Sequence, residues 1–241
     1  DVARENINNC YEALERMQAG INLIKEDEKV REAFESANFA MYKQQLRPSD
    51  PADVRRIKEF NQTEEKDKQI VFDKEVKEKE IEPKWRPFQI AFILLNLESI
   101  VNEDSKYREN VELLWFPTGG GKTEAYLGIS AFTLFYRRLI DPSDNGTGII
   151  MRYTLRLLTA QQFDRSSRLI CAMEKIRKEK VDIFGDEPFS IGIWVGATTS
   201  PNTKEQARTN LDKLNDPKNR DTKSLFIIQS CPWCGAEIGK V

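Results

Sequence analysis

The feature that most limits what this chain can fold into is the glycine-rich segment PTGGGKT, residues 117–123. It overlaps the end of the apolar run VELLWFP and leads into the helical pattern GKTEAYLGISAFTLFYRRLI. In the pattern GxxxxGK[ST], a loop between a strand and a helix directs successive backbone N–H groups into an anion-sized hollow at the helix N-terminus. The sequence therefore predicts a phosphate-binding loop that joins a strand to a helix.

Each position of this loop has an expected role. The glycines 119–121 let the backbone approach a phosphate closely and adopt dihedral angles that a Cβ atom would forbid. Lys122 is expected to reach the β- and γ-phosphates of ATP and the Thr123 hydroxyl to ligate Mg²⁺, so these two are the candidate catalytic residues. Phe116 replaces the first glycine of the strict pattern. The alternative is a glycine-rich turn with an incidental Lys-Thr pair.

A second nucleotide-binding segment precedes the loop. Arg86-Pro87-Phe88-Gln89 opens an apolar helical pattern and resembles the adenine clamp of superfamily 2 helicases, in which a glutamine amide pairs with the adenine edge. The alternative is a helix cap with an exposed glutamine. Together with the loop, this segment gives the candidate ATP-binding residues: Arg86, Phe88, Gln89, Pro117, Thr118, Gly119, Gly120, Gly121, Lys122, Thr123 and Glu124.

Two segments after the loop are similar to the nucleic-acid contacts of the same helicases. TLRLLTAQQ resembles the segment written PTRELAxQ, although Thr154 replaces the proline, and WVGATTSPN resembles a further backbone-contact loop. Such segments grip a sugar-phosphate backbone through N–H groups and hydroxyls without reading bases. The alternative is the ordinary polarity of a solvated helix start. The candidate nucleic-acid-binding residues are Arg152, Thr154, Arg156, Gln161, Gly196 and Thr198.

Apolar runs alternate with helical patterns from Trp85 onward, which indicates a parallel sheet with helices on its faces. Strands are predicted at VELLWFP, TGIIMRY, FSIGIWVGAT and SLFIIQS. The predicted organisation is an α/β domain over 85–230. It is preceded by an N-terminal helical region over 1–45 and a charged linker or excursion over 46–84.

Composition excludes several classes of function. The chain has no histidine, which removes Ser-His-Asp chemistry, histidine general bases and histidine metal ligands. Its net charge of −2 argues against a diffuse polycationic surface, so any nucleic-acid binding must use a local groove. No run approaches the roughly 18 to 20 apolar residues of a membrane span, and no signal pattern opens the chain. A cytoplasmic protein without membrane contact is therefore expected.

The cysteines predict half of a metal site. Cys231 and Cys234 lie in CPWCG, and a Cys-x-x-Cys turn followed by glycine is typical of a zinc knuckle. Zinc requires four ligands, so the others are expected from outside this chain, and residues 231–241 are predicted to begin the knuckle. A redox dithiol is the alternative. Cys10 and Cys171 stand alone in apolar helical contexts and are expected in the core.

Five phrases of the sequence, taken together, are similar to a narrower family. They are LLWFPTGGGKTEAYLG, MRYTLRLLTAQQFDR, IGIWVGATTSPN, CPWCG and YEALERMQAGI. Over nearly all of its length except 46–84, the chain resembles the DrmA-like helicase subunit of the DISARM anti-phage defence systems. The resemblance implies a superfamily 2 helicase with a partial RecA-like parallel sheet over 85–230. It also implies that the motor acts on DNA in a prokaryotic cytoplasm with another DISARM subunit.

One expected element is missing from the sequence. Such a motor needs an apolar strand that ends in Asp-Glu, and Asp186-Glu187 follows a glycine instead. The chain is therefore expected to be the N-terminal part of a longer protein, able to bind nucleotide but to hydrolyse it poorly alone. Two alternatives stay open: a small-molecule P-loop phosphotransferase and a non-catalytic module that binds nucleic acid or a partner. RNA instead of DNA is also open.

Overall fold

A computed structural model of the chain describes residues 2–47, 82–117, 119–153, 156–195, 200–216, 228 and 231–235, the side chains of 156–160 excepted. Every regular element within these ranges is an α-helix. None of the helices is both long enough and apolar enough to cross a membrane. They are α1 (Val2–Glu26), α2 (Glu28–Leu46), α3 (Pro87–Val101), α4 (Lys122–Ile140), α5 (Arg156–Glu179), α6 (Val181–Phe184) and α7 (Lys204–Asn215).

The chain divides into two compact units. The first comprises Asp1–Gln45, Ile81–Met151 and Ala172–Phe189, and the second comprises Leu46–Glu80, Arg152–Cys171 and Ser190–Val241. Helices α1, α3, α4 and α6 belong to the first unit, together with almost all of α2, whereas α7 belongs to the second.

The packing of α1 against α3 depends on the small size of Gly20. A Cβ atom built on this buried residue would lie 2.1 Å from the backbone oxygen of Leu94 in α3, so no side chain fits between the two helices. One turn earlier, the buried Arg16 pairs with Glu112 at 2.6 Å and stacks its guanidinium group over the Tyr107 ring. These contacts hold α1 against α3 and against the segment that follows α3.

Aromatic side chains of α4 form the centre of the first unit. Phe132 and Phe135 are fully buried. The Phe135 ring packs against Phe184 of α6 and against Phe189, with centroid distances of 4.9 and 5.3 Å. Because large buried rings contribute strongly to core stability, α4 is firmly anchored behind its first turn.

Trp85 fixes the start of α3. Its indole Nε1 donates a hydrogen bond to Asn38 Oδ1 of α2 at 2.5 Å. Its ring lies against α4 at Gly128, where a Cβ atom would be 2.7 Å from Trp85 Cη2. Arg86, the next residue, is the N-cap of α3. The first turn of α3 is therefore held by contacts to both α2 and α4.

In the second unit, α7 has a reciprocal cap at its start. The Thr203 side chain accepts a hydrogen bond from Gln206 N, and Gln206 Oε1 accepts one from Asn202 N. Such a cap satisfies backbone donors that the helix itself leaves without partners. The start of α7 is thus encoded locally.

The predicted α/β fold, with a partial RecA-like parallel sheet over 85–230, is wrong. VELLWFP, TGIIMRY and the described part of FSIGIWVGAT have no regular secondary structure and form no strand ladder in the part of the chain that the structure describes. Val111, Leu113 and Trp115 expose 96%, 84% and 88% of their surface. A strand needs a neighbour to pair its backbone groups, and a β-rich composition does not supply one. All of SLFIIQS except Ile228 lies outside the described residues.

The helices predicted on either side of the loop are confirmed. RPFQIAFILLNLESIV contains α3, GKTEAYLGISAFTLFYRRLI contains α4, and the described part of the pattern TLRLLTAQQFDRSSRLICAMEKIRKEK contains α5. The predicted N-terminal helical region contains α1 and α2. The charged stretch 46–84 lies outside the described residues except at its two ends.

Replacement of Gly20 by alanine should destabilise the first unit. Forcing α1 and α3 apart costs about 1–3 kcal/mol by analogy with overpacked cores, whereas alanine in a helix gains only about 0.5–1 kcal/mol over glycine. We expect a lower unfolding midpoint in urea, followed by circular dichroism. Gly192→Ala is the matched control because a Cβ atom there meets nothing within 4 Å. An undiminished midpoint for Gly20→Ala would contradict the close helix contact.

Candidate nucleotide-binding site

The glycine-rich loop makes a tight turn into α4. Gly119 and Gly121 have φ values of +81° and +89°, a region in which side chains other than glycine are strained. Gly120 N donates to Pro117 O at 3.1 Å, and a Cβ atom on Gly120 would lie 2.9 Å from the same oxygen. The backbone path therefore requires glycine at all three positions. Thr118 lies outside the described residues.

The Lys122 side chain folds back over the loop. Its ammonium group donates to the carbonyl oxygens of Phe116 and Pro117, the latter at 3.1 Å. Lys122 is also the first residue of α4, and the N-terminus of a helix carries partial positive charge on its N–H groups. An ammonium group and a helix N-terminus therefore adjoin the same loop, an arrangement that favours an anion.

The first turn of α3 forms hydrogen bonds directly to this loop. Arg86 Nη1 donates to Gly120 O at 2.8 Å, and Gln89 Nε2 donates to Gly121 O at 2.8 Å. Gln89 Oε1 in turn accepts a hydrogen bond from Arg86 N at 2.8 Å. The structure thus brings the predicted helicase-like segment and the predicted phosphate loop into contact.

These two hydrogen bonds orient the backbone amides of the loop. In a trans peptide group the C=O and the N–H point in opposite directions, and the described residues contain no cis peptide. Since α3 holds the carbonyl oxygens of Gly120 and Gly121, the N–H groups of Gly121 and Lys122 point away from α3. Two adjacent donors at the start of α4 are therefore aimed to one side of the loop.

An aromatic pair lies beside the loop. The rings of Phe88 and Phe116 are stacked, with a centroid distance of 4.0 Å and an interplanar angle of 18°. A Cβ atom on Gly120 would be 3.7 Å from Phe116 Cδ1, so the Phe116 ring lies close to the middle of the loop. Phe116 is absent from the predicted ATP-binding residues because it departs from the strict pattern. The sequence feature that could have indicated a role for Phe116 is Phe88, an aromatic residue in the segment already predicted to bind the nucleotide.

The remaining predicted ATP-binding residues occupy the first turn of α4. Thr123 and Glu124 follow Lys122 and are partly buried. Glu124 Oε2 is 3.4 Å from the position of a Cβ atom on Gly121, which puts this carboxylate next to the turn. All the predicted ATP-binding residues that the structure describes therefore lie in the loop, in the turn of α4 that follows it, or in the start of α3.

The predicted nucleic-acid contacts belong to the second unit. Arg152 precedes α5 and is exposed, and Gln161 is exposed on α5. Arg156 is the first residue of α5. Their role in nucleic-acid binding stays a prediction. The Arg156 side chain and the residues Thr154, Gly196 and Thr198 lie outside the described part.

The CPWCG segment forms a compact turn in the second unit. Gly235 N donates to Cys231 O at 2.8 Å. A hydrogen bond from the Cys234 side chain, supported by backbone N–H groups and opposed by burial, lowers the pKa of Cys231 from 9.0 to about 5. The Arg47 guanidinium group stacks over the ring of Trp233 at 3.8 Å. Two cysteine side chains are therefore held together in one turn, and the hydrogen bond between them favours the thiolate form of Cys231.

This turn fits half of a zinc site. Thiolate is the form of cysteine that binds zinc, and the two sulfur atoms belong to one short turn. The described residues contain no group of three or more cysteine, aspartate or glutamate side chains that could hold a metal ion. A zinc ion at Cys231 and Cys234 stays a prediction that requires additional ligands.

The two isolated cysteines differ from their expected burial. Cys10 is exposed, so its assignment to the core is wrong, and Cys171 is only partly buried. The described residues of α1 before Cys10 are exposed all around the helix. The apolar spacing of α1 predicted the helix correctly but did not show which part of the helix packs against the rest of the protein.

The site is thus a glycine-rich loop at a helix N-terminus, hydrogen-bonded to the first turn of a neighbouring helix. No protein-family model matches the sequence. The chain is similar to the DISARM protein DrmA of Bacillus paralicheniformis, with 42% identity over 242 residues. The alignment covers 96% of this chain but 20% of that protein, so the chain spans about a fifth of its relative's length. The resemblance to DrmA proteins inferred from the motifs is confirmed.

Two glycine substitutions separate backbone strain from the contact with α3. Gly119→Ala and Gly121→Ala both place alanine at positive φ, which costs about 1–2 kcal/mol. Only Gly121→Ala also brings a Cβ atom to 2.7 Å from Gln89 Nε2, and losing that hydrogen bond costs about 0.5–1.5 kcal/mol more. We expect a larger loss of unfolding free energy for Gly121→Ala in urea titrations. Equal losses would contradict the hydrogen bond between Gln89 and the loop.

Cys231 should titrate near pH 5 in the metal-free chain, measured by the ultraviolet absorbance of the thiolate. Because its pKa is lower in the folded than in the unfolded chain, the thiolate stabilises the fold at alkaline pH. That contribution declines as the pH falls from 9.0 toward about 5. Cys234→Ala removes the main donor and should raise the pKa, whereas Cys10→Ala should not. An unchanged titration in Cys234→Ala would contradict the assigned cause.

Proposed function

We propose that residues 117–123 bind the triphosphate of ATP together with Mg²⁺. The loop N–H groups and Lys122 hold the phosphates in this proposal, and the Thr123 hydroxyl ligates the Mg²⁺ ion. The proposal rests on two hydrogen bonds from the start of α3 to successive carbonyl oxygens of the loop. Because these bonds hold the carbonyl oxygens toward α3, the N–H groups of Gly121 and Lys122 point to the other side, where an anion can accept from both.

The chemistry of Lys122 supports this proposal. Its ammonium group now lies on the carbonyl oxygens of Phe116 and Pro117, which are neutral acceptors. A phosphate is a stronger acceptor because a hydrogen bond between two charged groups is roughly twice as strong as a neutral one. The flexible four-carbon stem of lysine allows the ammonium group to turn toward a phosphate without moving the backbone.

We further infer a role in DISARM defence, as part of an ATP-dependent helicase or translocase on DNA. This inference rests on the 42% identity to a protein named DISARM protein DrmA, of which the chain spans about a fifth. A second DISARM subunit is the proposed partner. Backbone contacts without base reading would accept DNA or RNA, and DNA is the polymer proposed here. The proposed contacts are Arg152, Thr154, Arg156, Gln161, Gly196 and Thr198.

The CPWCG turn is proposed to supply two ligands of a structural Zn²⁺ ion. Cys231 and Cys234 would bind the metal as thiolates, and the remaining ligands would come from outside this chain. The hydrogen bonds that favour the Cys231 thiolate support this assignment because a thiolate needs no further deprotonation to bind.

Lys122→Ala tests the proposed ATP site in the full-length protein. Loss of one charged hydrogen-bonding partner costs about 1.5–3 kcal/mol, which corresponds to roughly a 10- to 100-fold loss of ATP affinity. We expect that loss in a binding titration, and a matching loss of DNA-stimulated ATP turnover. Lys178→Ala, which removes an exposed lysine from α5, is the matched control and should bind ATP normally.

The same measurements distinguish the other two candidate functions. A small-molecule phosphotransferase would turn over ATP at a rate that DNA does not change. A non-catalytic module would fail to bind ATP even with Lys122 intact. Normal ATP binding by Lys122→Ala would contradict the proposed role of the loop.

A further inference from the structure

The side-chain amide of Gln89 is occupied within the protein. Its oxygen accepts from Arg86 N and its nitrogen donates to Gly121 O, each at 2.8 Å, and only 4% of the residue is exposed. To read the edge of a base, the amide would have to present its oxygen and its nitrogen to that base together. Both atoms are instead directed at the backbone, one within the first turn of α3 and the other in the loop.

Releasing this amide would disturb the phosphate loop itself. The Gln89 hydrogen bond to Gly121 O helps to aim the N–H group of Lys122 away from α3, as the planar peptide requires. A glutamine that turned toward a base would leave the Gly121 oxygen without this donor. The contacts of Gln89 therefore favour an alignment of phosphate donors over recognition of a base.

A different surface beside the loop is aromatic and partly exposed. Phe116 stacks on Phe88 and still exposes 42% of its surface, and its ring lies close to Gly120. A nucleobase can extend this stack because it presents a flat π-face to an aromatic ring. Such stacking accepts every base, since all of them have a π-face. Selection of adenine over guanine does not follow from this contact.

We propose that Gln89 is a positioning residue for the phosphate loop and that the site takes nucleoside triphosphates without selecting adenine. The triphosphate is held by the loop amides, and the base stacks on Phe116. This inference rests on the proposed function of the loop. It differs from the adenine contact that the sequence predicted for Gln89.

The test uses the full-length protein and three probes: the magnesium complexes of ATP, GTP and inorganic tripolyphosphate. Calorimetric titration of the unmodified protein should give ATP and GTP affinities within about threefold of each other. Gln89→Ala should weaken all three probes by a similar factor of about 2 to 10, because the lost hydrogen bond orients the shared phosphate site. Gln18→Ala, which removes an exposed glutamine from α1, is the matched control and should change nothing.

Phe116→Leu separates the base from the phosphates. Leucine keeps an apolar side chain beside Phe88 but has no π-face, so ATP and GTP should bind about 5- to 100-fold more weakly. Tripolyphosphate should bind as before because it has no base. Gln89→Glu gives an additional check in a folded protein, since it keeps an acceptor for Arg86 N but removes the donor to Gly121 O.

The outcomes separate this inference from the function on which it rests. A preference for ATP over GTP of more than tenfold, lost in Gln89→Ala while tripolyphosphate binding persists, would show that Gln89 reads adenine and would overturn the inference. If Phe116→Leu bound ATP and GTP as tightly as the unmodified protein does, the stacking role would be overturned. If the unmodified protein binds none of the probes, the proposed function itself fails.

Discussion

Two hydrogen bonds from the start of α3 to the carbonyl oxygens of Gly120 and Gly121 organise the candidate site. A glycine-rich loop loses more conformational freedom on ordering than any other segment of its length. The donors on Arg86 and Gln89 offset part of that cost. They also decide which side of each peptide presents its N–H group. The same loop without α3 would lose the two donors that hold the carbonyl oxygens of Gly120 and Gly121.

The orientation of the loop can be followed back into the core of the first unit. Gln89 can hold Gly121 only because the first turn of α3 is itself fixed, and Trp85 fixes it through Asn38 of α2 and Gly128 of α4. α3 is further covered by α1, which approaches it closely at Gly20. Packing far from the loop therefore determines the direction of its donors. A substitution at such a position can weaken phosphate binding without touching the loop.

The sequence predicted the local features of this site well. The positive φ values of Gly119 and Gly121 and the helix that begins at Lys122 depend on residues adjacent in the chain. The helices α3 and α4 were predicted because helical hydrogen bonds join residues four positions apart. The contact between the helicase-like segment and the loop was implied by family resemblance and would not follow from spacing alone.

The sequence failed where the structure depends on partners that are distant in the chain. VELLWFP has the composition of a buried strand, yet Leu113 and Trp115 are largely exposed and no neighbouring strand pairs with them in the described ranges. Gln89 was expected to contact adenine, but only the folded chain reveals that its two amide atoms contact Arg86 N and Gly121 O. The composition of a segment shows whether it has apolar side chains to bury, but it does not show which other segment will pack against them.

Hydrogen exchange measured at the backbone amides of residues 119–123 tests phosphate binding by the loop most directly. The amides of Gly121 and Lys122 should exchange more slowly when Mg-ATP is added, because a bound triphosphate accepts their hydrogen bonds. The amides of α7 in the second unit provide an internal reference. Exchange at Gly121 and Lys122 that stays unchanged at saturating Mg-ATP would contradict the assignment of this loop as the nucleotide site.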